Sequence, residues 1–190
     1  KISEEAYDFI HRCCGSYEAQ KADAIYRFVQ EGLRMGRAVM SHLTAPYMQT
    51  LFAIERNFTN ESHFFIEILR FEELENGTLF GRINPKSEVL PYLADHFADR
   101  FAGEQWVIAD TVHRTVLLHK ANYKTVYLSM DEVDMDELTL TYSEDEKQLQ
   151  KLWKLFVNTI AIKERVNPKL QRQMLPLRFR KYMKEFSESE

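Results

Sequence analysis

Residues 105–129, QWVIADTVHRTVLLHKANYKTVYLS, decide the fold class. Three runs rich in β-branched and aromatic residues, 105–110, 114–119 and 124–129, are parted by turns near Val112 and Asn122. That pattern predicts three consecutive strands. Working back from them, Leu90, Leu93, Ala94, Phe97 and Phe101 recur at helical spacing, and Gly103 stands where a helix C-terminus favours glycine. Earlier still, Asn76-Gly77 is a hairpin signal, flanked by residues 64–74 and 78–83 as strands and closed by Asn84-Pro85. The order β-β-α-β-β-β with short connections predicts an α+β fold: a central antiparallel sheet of about five strands with one packed helix.

Both flanks read as helical. In residues 1–60, Ser3 is a cap followed by the stripe Ala6, Phe9, Ile10 and Cys13. A second stripe runs Ala22, Ile25, Phe28, Val29 and Leu33. Gly32 and Gly36 within it signal either a close helix contact or a helix end. Thr44 and Pro46 open a third helix carrying Met48, Leu51, Phe52, Glu55 and Phe58. The sheet and its helix occupy 63–129. Residues 130–142 are acidic: Asp131, Glu132, Asp134, Asp136 and Glu137 have no Lys or Arg among them, which predicts a solvated connector. Ser143 and Glu146 form a capping box before a helix with the stripe Leu149, Leu152, Trp153, Phe156 and Ile160. A basic tail completes the span 143–190. All 190 residues are read as a single domain.

A composition that is 45% hydrophobic with only 6 Gly and 5 Pro excludes a disordered or low-complexity chain. The formal charge of −4 gives no global attraction to nucleic acid or membrane, so any such contact must be local. No apolar run reaches the roughly 20 residues of a membrane span, and no signal-like segment opens the chain at Lys1. The adjacent Cys13 and Cys14 diverge by about 100° on a helix, which predicts two reduced thiols in a reducing compartment. A cytoplasmic protein without membrane contact is expected.

No phosphate-binding loop, dinucleotide fingerprint, nucleophile elbow or zinc-protease helix is present, and no metal or cofactor is expected. Asp110 near His113 has the composition of an acid/base pair, though both are ordinary turn residues. Glu67, Arg70, Glu72 and Arg82 fit cross-strand ion pairs. Trp106 and Trp153 sit at apolar positions that suit core packing. The tail is the sharpest charge feature. Lys163, Arg165, Lys169, Arg172, Arg178, Arg180, Lys181 and Lys184 are opposed between 163 and 184 only by Glu164, with Phe179 and Tyr182 interleaved. Such a stretch can neutralise phosphates while its aromatics stack on bases. It can equally pair with the acidic connector.

Several blocks together carry a resemblance. They are Arg34-Met35-Gly36-Arg37 to His42-Leu43-Thr44, Arg70-Phe71-Glu72-Glu73-Leu74, Ile83-Asn84-Pro85, Val89-Leu90-Pro91, His96-Phe97 with Arg100-Phe101, and Gln105-Trp106-Val107-Ile108 with Asp110. The tail adds Ile160 to Pro168, Leu170-Gln171-Arg172-Gln173 and Pro176. In this order they resemble, over essentially the whole chain, a bacterial family linked by gene company to DNA repair or DNA metabolism. In that family the domain stands beside a radical-SAM protein or is fused ahead of a uracil-DNA glycosylase-type domain. The resemblance also implies a further N-terminal stretch ahead of the position of Lys1.

Three readings follow. The first is a nucleic-acid-binding accessory acting with a radical-SAM or glycosylase-type partner, its phosphate contacts made by Arg37, Arg70, Arg100, Arg114, Arg165, Arg172 and Arg178. The second is a protein-interaction adaptor in which the arginines are internally paired and an aromatic surface, a contiguous exposed patch of Phe and Tyr residues, docks the partner. The third is an enzyme acting on a modified base, which requires His42, His96, Asp110 and Glu164 to converge.

Overall fold

A computed structural model describes residues 2–132 and 141–186. It divides into two compact units, Lys1–Ile68 with Pro85–Leu93, and Leu69–Asn84 with Ala94–Glu190.

The first unit is built on three helices: α1 (Glu4–Gly15), α2 (Lys21–Met35) and α3 (Pro46–Ile68). Ser3 caps α1, its side chain accepting from the Ala6 N–H. The helices bury matching stripes, Ala6, Phe9 and Cys13 against Ala24 and Phe28 and against Met48, Leu51 and Ile54. The two α2 glycines serve both purposes that their spacing left open. A Cβ on Gly32 would lie 2.5 Å from Ile2 Cδ1, and Gly36 ends the helix at φ 60. Glu61 is buried and accepts the N–H groups of Lys86 and Ser87 at 3.0 and 3.1 Å, which fixes residues 85–88 against α3.

The strand expected over 64–74 begins as helix: α3 runs on through 64–68 to Ile68, and only Glu72–Glu73 pair as β1. The aromatic content of 64–68 suggested a strand. Phe58, Ser62 and Phe65, however, keep helical spacing and are buried on one face of α3, and burial outweighs strand propensity.

The second unit holds a five-stranded sheet of order β1-β2-β3-β4-β5, with β2 (Leu79–Ile83), β3 (Trp106–Asp110), β4 (Thr115–His119) and β5 (Val126–Ser129). The Asn76-Gly77 turn joins β1 to β2, with Gly77 at φ 77 and the Asn76 side chain accepting from Thr78 N–H. The α+β class and five strands in the chain order β-β-α-β-β-β stand as expected. One pairing differs from the expected antiparallel sheet: β2 and β3 are parallel. Helix α4 (Leu90–Arg100) lies between them in sequence, and such a crossover returns the chain in its original direction. The other three pairings are antiparallel. Phe97 of α4 meets Phe71 edge-on at 5.4 Å and Trp106 at 6.4 Å, which packs the end of this helix near the sheet. Trp106 is fully buried, and Leu74, Phe80, Val107, Ala109 and Val116 form the core on the strands. Gly103 does not terminate α4 in a left-handed conformation; among the described residues positive φ falls at Gly36, Gly77, Arg114 and Asn122.

Helix α5 (Glu144–Ile160) starts on Ser143, which accepts from the Glu146 N–H at 3.1 Å. The reciprocal half of the expected box is replaced by β1. Ser143 donates its own N–H to Glu73 O, and the Glu146 carboxylate accepts the Glu73 N–H at 3.3 Å. The α5 stripe does not enter a core. Leu149, Leu152, Leu155, Phe156 and Ile160 are more than half exposed, while Glu146, Gln150 and Trp153 face the rest of the unit. The short helix α6 (Pro168–Met174) follows, capped by Asn167 on the Leu170 N–H. Asp131 and Glu132 lie in a 3-10 turn, and Asp134, Asp136 and Glu137 fall outside the described residues. No described helix is long and apolar enough to cross a membrane.

Candidate nucleic-acid interface

The polar centre of the second unit is Glu72. The residue is only 7% exposed, and its carboxylate accepts from Arg82 at 3.2 Å, the Tyr142 hydroxyl at 2.9 Å and Gln150 at 3.3 Å. Lys184 completes the set as a second cation. Burial pushes the Tyr142 hydroxyl up to about 12, and the adjacent Glu72 charge adds to the shift. Two cations of the C-terminal segment are therefore spent on the fold. Lys184 serves as a counter-ion, and Arg180 donates to the Leu175 carbonyl at 3.0 and 3.1 Å with its guanidinium over Phe186.

The seven arginines expected to meet phosphate have different fates. Arg70 pairs with Glu185 at 3.7 Å and lies 4.1 Å over the Trp153 ring, so Trp153 serves as a half-buried platform rather than a core residue. Arg114 pairs with Asp131 at 2.6 Å. Arg100 sits over Phe101 and Arg178 over Phe179. Arg37 is exposed in the 3-10 turn Gly36–Ser41 of the first unit. Arg165 and Arg172 are exposed on either side of the α6 N-terminus. Among the described residues no carboxylate lies at ion-pair distance from Arg37, Arg100, Arg165 or Arg172. Lys169 and Lys181 are also exposed.

The aromatics of this segment do not present stacking faces. Phe179 is buried at 6% exposure. Tyr182 bonds Thr111 at 2.9 Å and lies under the Arg82 guanidinium. What remains outward is charge, amide and aliphatic surface, a composition suited to phosphate rather than to base faces.

The four candidate polar residues do not gather. His42 bonds the Tyr47 hydroxyl at 2.9 Å in the first unit and lines an open cavity of about 480 Å³ with Arg27, Gln30 and Thr44. His96 stands edge-on to Phe97, with a buried Nε2 that has no partner. Asp110 is fully buried. One oxygen accepts the Val112 and His113 N–H groups, and the other meets His113 Nδ1 at 2.6 Å. The expected Asp–His pair is therefore formed, and it closes the β3–β4 turn in which Arg114 takes φ 54. Glu164 is exposed in the 3-10 turn Lys163–Arg165. Among the described residues no two of these four are hydrogen-bonded to each other, and no group of three or more His, Cys, Asp or Glu could hold a metal ion.

Sequence reasoning missed the Glu72–Tyr142–Lys184 set. Tyr142 and Lys184 lie 70 and 112 positions from Glu72, and no local pattern links a strand glutamate to a tail lysine. Both cysteines are unpaired, Cys13 buried and Cys14 exposed.

No curated protein matches the chain, and no solved structure matches it. The sequence does match the domain of unknown function DUF4130 over residues 19–185, which is most of its length. The chain belongs to the DUF4130 family.

Proposed function

We propose that this protein is a cytoplasmic accessory of DNA repair or DNA metabolism that holds a nucleic-acid backbone through its C-terminal segment. It acts beside a protein partner of the radical-SAM or uracil-DNA glycosylase type. One observation carries the reading: Arg165, Lys169 and Arg172 are exposed within ten residues, and Arg165 and Arg172 have no described carboxylate at ion-pair distance. On an acidic chain, cations left open in one place form a local phosphate-accepting surface. Arg70 and Arg114, which already hold carboxylates, are not part of that surface.

The partner and the repair context rest on the family resemblance. The phosphate contact rests on the side chains. A fluorescence titration of labelled duplex and single-stranded oligonucleotides, repeated at several salt concentrations, tests it. The expected result is binding at low salt that weakens steeply as salt rises. No binding at low salt, or binding indifferent to salt, removes the proposal.

A second reading, an adaptor without nucleic-acid contact, is favoured by a specific observation, the exposed apolar stripe of α5. Under that reading the partner co-purifies with this chain and the oligonucleotide titration is flat.

A further inference from the structure

We propose that the outward stripe of α5 is a self-association surface, on which two copies of this chain pair their α5 helices antiparallel. Leu149, Leu152, Phe156 and Ile160 follow one another at spacings of three, four and four, so they form one strip along the helix, with Leu155 beside it. All five are 51–64% exposed, and α5 contains no buried residue. Its attachment uses other positions. Glu146 meets β1, Gln150 meets Glu72 and Trp153 meets Glu185 and Arg70. The helix is therefore held by its polar flank while its most apolar flank is left uncovered.

The charge along α5 selects the occupant and its direction. The first turn carries Glu144, which already pairs with Lys147 at 2.6 Å, Glu146, which is held by Glu73 and Gln150, and the exposed Asp145, which has no described partner; the exposed Arg165 lies just beyond the C-terminal end. A two-fold axis through the middle of the stripe sets Leu149 against Ile160 of the second copy. It also brings the acidic first turn of each helix toward Arg165 of the other. Antiparallel helix dipoles reinforce that order, whereas a parallel pair would set acid against acid. Five such side chains from each copy offer on the order of 1,000 Å², the lower bound for a specific interface, so the pair is a reversible one.

The test is sedimentation of the full chain over a concentration series, without nucleic acid. Wild type is expected to pass from monomer to dimer in the micromolar range. Leu152→Glu and Phe156→Glu, both at exposed positions, are expected to weaken the dimer at least tenfold with an unchanged circular-dichroism spectrum. Arg165→Glu is expected to weaken it as well, and Arg165→Glu combined with Glu144→Lys and Asp145→Lys to restore it. A wild-type chain that stays monomeric at 100-fold higher concentration overturns the proposal, even if another protein binds the stripe. So does a dimer that tolerates both stripe substitutions, and a charge exchange without rescue overturns the antiparallel arrangement. Arg165 serves both readings, but Leu152→Glu and Phe156→Glu leave Arg165, Lys169 and Arg172 in place, so the stripe variants and the oligonucleotide titration let either reading fail without the other.

Discussion

Helices α3 and α5 carry the same kind of apolar repeat and use it in opposite ways. In α3, Met48, Leu51, Ile54, Phe58 and Phe65 are buried, and even the polar Glu61 and Ser62 are drawn inside. In α5 no residue is buried, and the leucines face outward. The amphipathic pattern is sound evidence for a helix in both cases. It is silent on what covers the face, because that depends on partners distant in sequence. The comparison also separates two means of fastening. Apolar contact holds α3, whereas charged and amide side chains around Glu72 hold α5.

The largest expected effect lies in the buried helix. Leu51→Ala should cost about 2–5 kcal/mol in urea unfolding, since a fully buried leucine leaves a cavity. A cost below 1 kcal/mol would show that the α3 stripe is not the core of its unit. Glu72→Gln should cost about 1–3 kcal/mol by leaving Arg82 and Lys184 without their carboxylate, and it should speed amide exchange in α5 more than in α3. Equal acceleration in both helices would contradict the separation. Gly15→Ala should cost about 1–3 kcal/mol, because the new Cβ would meet the buried Phe58 ring at 2.7 Å.

Alkali probes both fastenings. Burial, helped by the Glu55 charge, raises the Cys13 thiol to about 12, and Tyr142 is raised to a similar value. Each group keeps its proton longer in the folded chain than in the unfolded one. Stability from this source is therefore complete below pH 9 and is lost progressively from about 9 to 12. Denaturation curves that stay level across that window would contradict the burial of both groups. The smallest effect belongs to α5. Leu152→Ala, measured at a concentration where the chain is monomeric, should change stability by less than about 0.5 kcal/mol.

Local signals were legible wherever chemistry within a few residues decides the outcome. Ser3, Asn76-Gly77 and the three strands from Trp106 to Ser129 all stand where propensity and capping place them. The errors came where tertiary contacts decide. Residues 64–68 look strand-like until Phe65 is seen on the buried face of α3. The parallel β2–β3 pairing depends on how the α4 crossover returns the chain. The same limit applied to the cations. Charge along the tail marked a basic segment, but only coordinates show that Lys184 and Arg180 are consumed internally while Arg165 and Arg172 face outward.

The most direct measurement is the slope of log K against log salt for duplex DNA, compared between the wild-type chain and the triple variant Arg165→Gln, Lys169→Gln and Arg172→Gln. Three lost phosphate contacts should flatten the slope by about 2.7, with unfolding stability unchanged. A triple variant that binds with the wild-type slope would contradict the assignment of this segment to the nucleic-acid backbone.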